Sequence, residues 1–342
     1  MITLTFLTTI FTNIIILFYL KNSKIIKLIN DRPDNIRKIH KKNTPSIGGI
    51  IFFINFILFF IFNEINRYFY NSYLIFNSEE LSVYFFLLLL SIYTLGILDD
   101  IKDLNYKKKF FFITLIIFFF LIIEKSFSLN TINFSFTSQN IDLNKFSLPI
   151  TILCILLFIN AFNMFDGINM QIALYSFSLF FYLLINKIFY NLIIFTIIPL
   201  LFFMSKNYNG KIFLGNNGNI LLSFFFSLIF IKSYNLGYIK YTDEIVILML
   251  IPGLDMLRLF IERLLKKKNP FKPDKNHLHH IILDITKSQS KTVIIIMGIY
   301  IVPQILLYIG ISNLMILAIS ILNYCFCLTV FLLIKSSKKK IL

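Results

Sequence analysis

The stretch at residues 81–98 reads LSVYFFLLLLSIYTLGIL, carries no charged side chain and is followed at once by Asp99 and Asp100. A helical run of about 20 apolar residues crosses the hydrocarbon core of a bilayer. Similar runs recur along the chain, at residues 2–20, 47–62, 81–98, 110–123, 148–162, 171–186, 190–204, 219–231, 244–262, 292–310 and 314–334. The sequence therefore predicts an all-α, polytopic membrane protein of one domain with about 11 transmembrane helices.

The composition excludes several other classes of protein. Of the 342 residues, 57% are hydrophobic and only 15% are charged, whereas soluble domains carry about 25% charged residues. A soluble globular enzyme, a disordered chain and a disulfide-linked scaffold are therefore excluded. The net charge of +16 is explained by the Lys and Arg that cytoplasmic loops of membrane proteins collect, so we expect no nucleic acid partner.

Basic residues are distributed unevenly between the two sets of alternate loops. One set holds 25 Lys and Arg and the other holds 6. Because basic loops stay inside the cell, we expect an N-terminus outside and a C-terminus in the cytoplasm, in a bacterial cytoplasmic (inner) membrane. On the outer side, residues 130–140 (NTINFSFTSQN) alternate polar and apolar side chains, which predicts a small hairpin.

Carboxylates end the third apolar run, where Asp99 and Asp100 are followed by Asp103. Carboxylates at the edge of lipid are costly and are therefore candidates for function. Clustered carboxylates bind Mg²⁺ through hard oxygen ligands, and one of them can act as a general base. The structural alternative is a solvated helix end beside Lys102.

Polar residues recur at every third position toward the end of the fifth run, at Asn160, Asn163 and Asp166. These three side chains can share a broad helix face, and Gly167 allows the chain to turn directly after them. Asparagine offers both a donor and an acceptor, which suits the recognition of sugar or phosphate. The alternative is hydrogen bonding between neighbouring membrane helices.

Two further segments are candidates for ligand binding. Residues 210–219 read GKIFLGNNGN, a glycine-rich turn that can bind an anion where it opens a helix, although a plain loop is the alternative. His277, His279 and His280 lie in a loop with several Lys, which favours phosphate or nucleotide binding over a zinc site that lacks a fourth ligand. In the preceding run we expect Asp255 and Arg258 to form a structural pair.

Five segments resemble, in this order, the polyprenyl-phosphate N-acetylhexosamine-1-phosphate transferases, relatives of the phospho-N-acetylmuramoyl-pentapeptide transferase. The segments lie within residues 37–283 and read RKIH…PSIGG, LGILDDIKDL, NAFNMFDGI, FLGNNGN and PGLDMLRLFIERL…NPFKPDKNHLHH. The resemblance implies an all-helical, typically dimeric membrane enzyme. Such an enzyme uses Mg²⁺, or Mn²⁺, to join the sugar phosphate of a UDP-sugar to polyprenyl phosphate, and it releases UMP. Asp103 and the pattern HLHH are similar to the branch that transfers GlcNAc-1-phosphate.

The resemblance also implies roles for individual residues. Asp99 would activate the lipid phosphate, and Asp100 with Asn216 would hold the metal ion. The nucleotide, metal or sugar phosphate would be bound by Asp166, Asn160, Asn163, Asn169, Lys109, His277, His279 and His280. Asn169 and Asn216 stand where the family usually carries an acidic residue, so a catalytically impaired homologue is one alternative. A transporter of anionic substrates is another, because carboxylates in membranes also mark ion pathways.

Overall fold

The computed structural model describes residues 2–20, 29–31, 43–70, 76, 78–270 and 274–341. The predicted basic segment RKIH at residues 37–40 lies outside them. Within the described residues the helices are α1 Ile2–Leu20, α2 Gly48–Tyr70, α3 Glu79–Lys102, α4 Tyr106–Ile123, α5 Ser147–Phe165, α6 Gln171–Ile185, α7 Tyr190–Asn207, α8 Gly215–Asn235, α9 Thr242–Leu265, α10 Leu278–Thr286, α11 Gln289–Ile309 and α12 Asn313–Ile341. The all-α prediction is therefore confirmed.

Each predicted apolar run overlaps one of these helices, and α10 is the short helix that has no apolar run of its own. By length and composition, 6 helices of the described part are able to cross a membrane, namely α2, α3, α5, α7, α11 and α12. The chain is therefore a multi-pass membrane protein. The predicted total of about 11 spans stays a prediction for the remaining helices.

Local sequence places the acidic pair in the last turn of α3. The helix starts after Ser78, whose side chain accepts the N–H of Leu81 at 3.2 Å. It ends at Lys102 because Asp103 adopts a left-handed conformation with φ 52°, and the N–H of Asp103 then bonds the carbonyl of Asp99 at 2.9 Å. The end of α3 thus sets the position of both neighbouring carboxylates.

Helix α8 lies at the centre of the bundle, where it packs against α2, α3 and α5. Phe224, Phe225 and Phe226 are fully buried in it. The ring centroids of Phe225 and Phe56 lie 5.0 Å apart, and those of Phe226 and Phe180 lie 4.6 Å apart. A helix that is apolar on all sides is expected only in such a buried position. The polar first turn of α8 therefore comes to the middle of one end of the bundle.

The opposite end carries a hairpin, in which β3 (Thr131–Ile132) pairs antiparallel with β4 (Ile141–Asp142). This pairing confirms the predicted hairpin. At the α8 end, β1 (Asn30–Asp31) pairs antiparallel with β2 (Thr44–Pro45). The N–H groups of Gly48 and Gly49 then bond the carbonyls of Phe213 and Leu214 at 3.0 and 3.1 Å, which joins the start of α2 to the start of α8.

Candidate active site

The first turn of α8 is fastened to the end of α3 through Asp100. The two carboxylate oxygens of Asp100 accept the backbone N–H groups of Asn216 and Asn217, each at 2.9 Å. The side-chain amide of Asn217 also donates to Asp100, and to the carbonyl of Ser46 at 3.0 Å. A carboxylate is stabilised here by the free N–H groups and the positive end of the helix dipole.

Glycine allows the backbones to approach this closely. A Cβ atom placed on Gly96 of α3 would lie 2.5 Å from the Cα of Asn217. A Cβ atom on Gly49 of α2 would lie 2.6 Å from the Cα of Gly218. Gly49 and Gly96 therefore allow close helix packing, and any larger side chain there would separate α2 or α3 from α8.

Asp99 lies beside this contact and pairs with Lys109 of α4. It is only 4% exposed, and its Oδ2 lies 2.7 Å from the Lys109 ammonium. The same ammonium lies 3.4 Å from the amide oxygen of Asn216, while the backbone N–H of Leu104 donates to Asp99 Oδ1 at 3.1 Å. The structure therefore brings Asn216 to Asp99, Asp100 and Lys109, which lie more than 100 residues earlier in the sequence.

Another predicted carboxylate, that of Asp166, contacts α8 from the other side. Asp166 follows the last residue of α5, and its Oδ2 accepts the side-chain amide of Asn219 at 2.6 Å. Burial raises the pKa of Asp166 to about 6, the bond from Asn219 acts to lower it, and the charge of Asp31 acts to raise it. Asn219 lies three residues after Asn216, so one helix turn contacts both groups of carboxylates.

The histidine loop packs onto the turn that carries Asp166. His279 is 2% exposed, and a Cβ atom on Gly167 would overlap its ring. Burial, with the charges of the neighbouring histidines, lowers the pKa of His279 well below its usual value. Burial also lowers the pKa of His280 to about 4. Both rings are therefore neutral at pH 7, and each offers hydrogen bonds rather than a positive charge.

His277 is held by a buried carboxylate of α9. Its Nδ1 lies 2.9 Å from Oδ2 of Asp255. Arg258 pairs with the other oxygen of Asp255 at 2.8 Å, which confirms the predicted structural pair. His277 and His279 stack with their ring centroids 5.3 Å apart and their planes inclined by 11°. The three predicted histidines thus form one group, since His280 lies 4.3 Å from His279 between ring centroids.

The other predicted asparagines lie at the edge of this arrangement. The amide nitrogen of Asn169 would lie 3.0 Å from a Cβ atom on Gly210, so Asn169 faces the α7–α8 loop. The carbonyl of Asn163 accepts the N–H of Asp166 at 3.4 Å. Asn160 bonds the carbonyl of Leu156 within its own helix at 2.8 Å, and no described contact brings its side chain to the carboxylates. Their substrate roles stay predictions.

Asn219 and Asn207 are site residues that the sequence reasoning did not assign. Asn207 ends α7 and is buried, its Oδ1 accepts the N–H of Met170 at 2.6 Å, and its Nδ2 donates to the carbonyl of Ile212 at 2.9 Å. It therefore joins the loop after Asp166 to the loop before α8. The available signal was weak, because each is one of many asparagines in this chain.

The oxygen donors near Asn216 fit a hard divalent cation. Among the described residues, no three His, Cys, Asp or Glu side chains form a group that could hold a metal ion, so the zinc alternative finds no support there. The Lys109 ammonium lies near an oxygen of Asp99 and the amide oxygen of Asn216, while both oxygens of Asp100 accept N–H groups of the adjoining α8 turn. The position of the ammonium therefore accommodates a cation, and oxygen ligands are those that Mg²⁺ prefers.

Comparison with known proteins shows which family these residues resemble. The model of glycosyl transferase family 4 matches residues 82–234, which include both groups of carboxylates. The undecaprenyl-phosphate alpha-N-acetylglucosaminyl 1-phosphate transferase of Thermotoga maritima is 29% identical over 259 residues, covering 73% of this chain and 72% of the relative. The enzyme of the same name from Escherichia coli K12 is 25% identical over 291 residues, covering 80% of this chain and 74% of the relative. The chain is therefore similar to the undecaprenyl-phosphate N-acetylglucosaminyl 1-phosphate transferases, and its middle part matches glycosyl transferase family 4.

Proposed function

We propose that the protein transfers a sugar-1-phosphate, an N-acetylhexosamine-1-phosphate, from a UDP-sugar to undecaprenyl phosphate and releases UMP. The names of the relatives supply the acceptor lipid and the sugar. One observation in this chain carries the proposal: the first turn of α8 contacts Asp100 and Lys109 on one side and Asp166 on the other. Such a polar cluster at the end of apolar helices suits a reaction between a membrane lipid and a water-soluble nucleotide.

In the proposed reaction an oxygen of the lipid phosphate attacks the sugar-bearing phosphorus of the UDP-sugar. A new P–O bond forms, and the bond to the leaving UMP breaks. Asp99 acts as the base toward the lipid phosphate and is held in place by Lys109 and the N–H of Leu104. Lys109 is also near enough to stabilise negative charge on the phosphates, because its ammonium contacts both Asp99 and Asn216.

Asp100 and Asn216 would hold Mg²⁺ or Mn²⁺, with Asp99 beside them. The bound ion would neutralise charge on the diphosphate. Asp166 and the histidines would bind the nucleotide or sugar from the opposite side of the α8 turn. Asn160, Asn163 and Asn169 complete the proposed substrate-binding residues.

The distribution of basic residues supports a location in the bacterial cytoplasmic membrane, with the N-terminus outside and the site on the cytoplasmic side. There the reaction would be the first membrane step in making a cell-envelope polysaccharide. The resemblance to the family further supports a homodimer.

The test uses the purified protein in vesicles that contain undecaprenyl phosphate, with UDP-GlcNAc labelled on the sugar and on the β-phosphate. Transfer moves both labels into the organic phase together and releases one UMP per labelled lipid. Label inside the vesicles would instead support a transporter. Label in neither place, under conditions in which the Escherichia coli relative is active, would support an impaired homologue and contradict the proposal.

A further inference from the structure

Asp255, a buried carboxylate in the second half of α9, has four hydrogen-bonding partners. The residue as a whole is 5% exposed to solvent. Oδ2 lies 2.9 Å from Nδ1 of His277, and Oδ1 accepts from Arg258 at 2.8 Å and from the hydroxyl of Tyr324 at 2.9 Å. The backbone N–H of Leu278 donates to the same carboxylate at 3.2 Å. The carboxylate is therefore held from α9, α10 and α12 together.

This arrangement determines which ring nitrogen of His277 carries the proton and which one is available to another partner. A carboxylate accepts hydrogen bonds and cannot donate them when ionised, so the ring nitrogen that faces it carries a proton. Nδ1 is thereby occupied by Asp255, and Nε2 is the nitrogen left for any other partner. A histidine whose first nitrogen is bonded in this way has a defined tautomer and a defined ring orientation.

The oriented ring faces the part of the cluster that carries Asp166. His277 stacks on His279, and His279 packs directly on Gly167, the residue after Asp166. His277 differs from its two neighbours because it is the histidine in contact with a carboxylate among the described pairs. The loop before it carries Lys266, Lys267, Lys268 and Lys275, whose charges attract an anionic nucleotide.

We propose that Asp255 is a positioning residue that holds the proton on Nδ1 of His277, so that Nε2 of His277 contacts the nucleotide-sugar donor. The inference rests on the proposed transfer reaction and makes it more specific. It gives two of the three histidines different roles: His277 contacts the nucleotide-sugar donor, and His279 supports the turn at Asp166 and Gly167. It also assigns Asp255 a role beyond its structural pair with Arg258.

The experiment compares variants that each remove one half of this arrangement. The side-chain nitrogen of Asn reaches the place of Nδ1, so His277→Asn keeps the bond to Asp255 and loses the contact with the donor. The side-chain amide of Gln reaches the place of Nε2 and its oxygen can accept there as Nε2 does, so His277→Gln has the opposite effect. Asp255→Asn removes the carboxylate, and Tyr324→Phe is the control because it removes a different bond to Asp255.

Steady-state kinetics and ¹⁵N spectra of histidine-labelled protein give independent readouts. We expect Asp255→Asn to raise the KM for the UDP-sugar about 10-fold, the size of one lost hydrogen bond, while kcat and the KM for lipid phosphate change little. In the wild type the spectrum of His277 should show the proton on Nδ1, and Asp255→Asn should change that tautomer. Tyr324→Phe should lower the melting temperature and leave both readouts unchanged.

A double-mutant cycle distinguishes positioning from a purely structural role. If Asp255 acts through Nε2 of His277, Asp255→Asn adds no further rise in KM to the His277→Asn variant. Additive effects on KM, or a wild-type ring with its proton on Nε2, would overturn the inference. If Asp255→Asn does not fold, the two His277 variants are compared with each other. A lower KM for the UDP-sugar in His277→Gln than in His277→Asn supports the inference, and the reverse order refutes it.

The outcomes also separate this inference from the proposed function. A wild type that releases no UMP overturns the transfer reaction and, with it, the role given to Nε2, whatever the spectrum shows. An active wild type in which only the KM for lipid phosphate responds to Asp255→Asn overturns the assignment to the nucleotide-sugar donor alone.

Discussion

Asn219→Ala changes the environment of one carboxylate and leaves the backbone of α8 intact. In the wild type the amide of Asn219 donates to Oδ2 of Asp166 at 2.6 Å. A hydrogen bond to a carboxylate favours its ionised form and lowers its pKa, whereas burial acts in the opposite direction and raises the pKa of Asp166 to about 6. Removal of the Asn219 amide therefore raises the pKa of Asp166 further.

The size of this shift follows from the energy of the lost bond. A hydrogen bond to a charged group contributes about 1.5–3 kcal/mol, and one pKa unit corresponds to about 1.4 kcal/mol, so the midpoint should rise by about 1–2 units. If Asp166 must be ionised to bind substrate, kcat/KM of the wild type falls as the pH drops through about 6. The variant should then be about 3- to 25-fold less active at pH 6.5 and nearly equal to the wild type at pH 9.

The assay is the pH dependence of kcat/KM for UMP release between pH 5 and 9.5. Asn186→Ala is the matched control, because its amide bonds the carbonyl of Tyr182 four residues earlier and no described contact joins it to Asp166. Asn219→Ser keeps a donor and should give an intermediate midpoint. An acid midpoint that stays in place or moves down in Asn219→Ala would refute the reasoning.

Four further variants test the other side of the α8 turn and the orientation of the chain. Asp99→Asn and Asp100→Asn should each lower the rate of UMP release at least ~100-fold, the scale of a general base or metal ligand. Asp100→Asn should also lower the melting temperature because Asp100 accepts the N–H groups that open α8; near-normal rates in both variants would contradict their assignment. Asn216→Asp should lower the Mg²⁺ concentration at half-maximal UMP release with equal or higher turnover, since its oxygen already lies near the Lys109 ammonium. An unchanged midpoint and rate would show that Asn216 is not at the metal. A Cys placed beside His279 should resist an impermeant thiol reagent added outside intact cells, and labelling from outside would reverse the proposed orientation.

The apolar pattern predicted the helices well because burial in lipid or in the bundle imposes the same requirement along a whole helix. The hairpin at residues 130–140 was also predicted correctly, from the alternation of its side chains. The number of membrane spans was harder to predict. Helix α8 is apolar because it lies at the centre of the bundle, and the same pattern would arise from contact with lipid.

The sequence predicted which segments contribute residues to the candidate site. It did not predict which of those residues contact one another. Asp99, Asp100 and Asp166 were identified because a carboxylate beside an apolar run is costly. Their partners Lys109, Asn217 and Asn219 come from other helices, and local sequence does not specify which residues of separate helices meet. The regular spacing of Asn160 and Asn163 in α5 also does not tell which neighbouring helix or loop their side chains face.

Asp255 illustrates this limit most clearly. The spacing of Asp255 and Arg258 on one helix predicted their pairing, which the structure confirms. The contacts of Asp255 with His277 and Tyr324 depend on how α10 and α12 fold back onto α9. These contacts became visible only in the structure.

The transfer reaction itself is tested most directly by one measurement on the wild-type protein. Vesicles with undecaprenyl phosphate are incubated with UDP-GlcNAc that carries ³²P in the β-phosphate and ³H in the sugar. We expect both labels to enter the lipid in a ratio of about 1:1, UMP to appear in equal amount, and omission of the lipid phosphate to abolish both, because the sugar-bearing phosphorus is the group transferred. Release of UDP instead of UMP, or ³H in the lipid without ³²P, would contradict the proposed sugar-1-phosphate transfer.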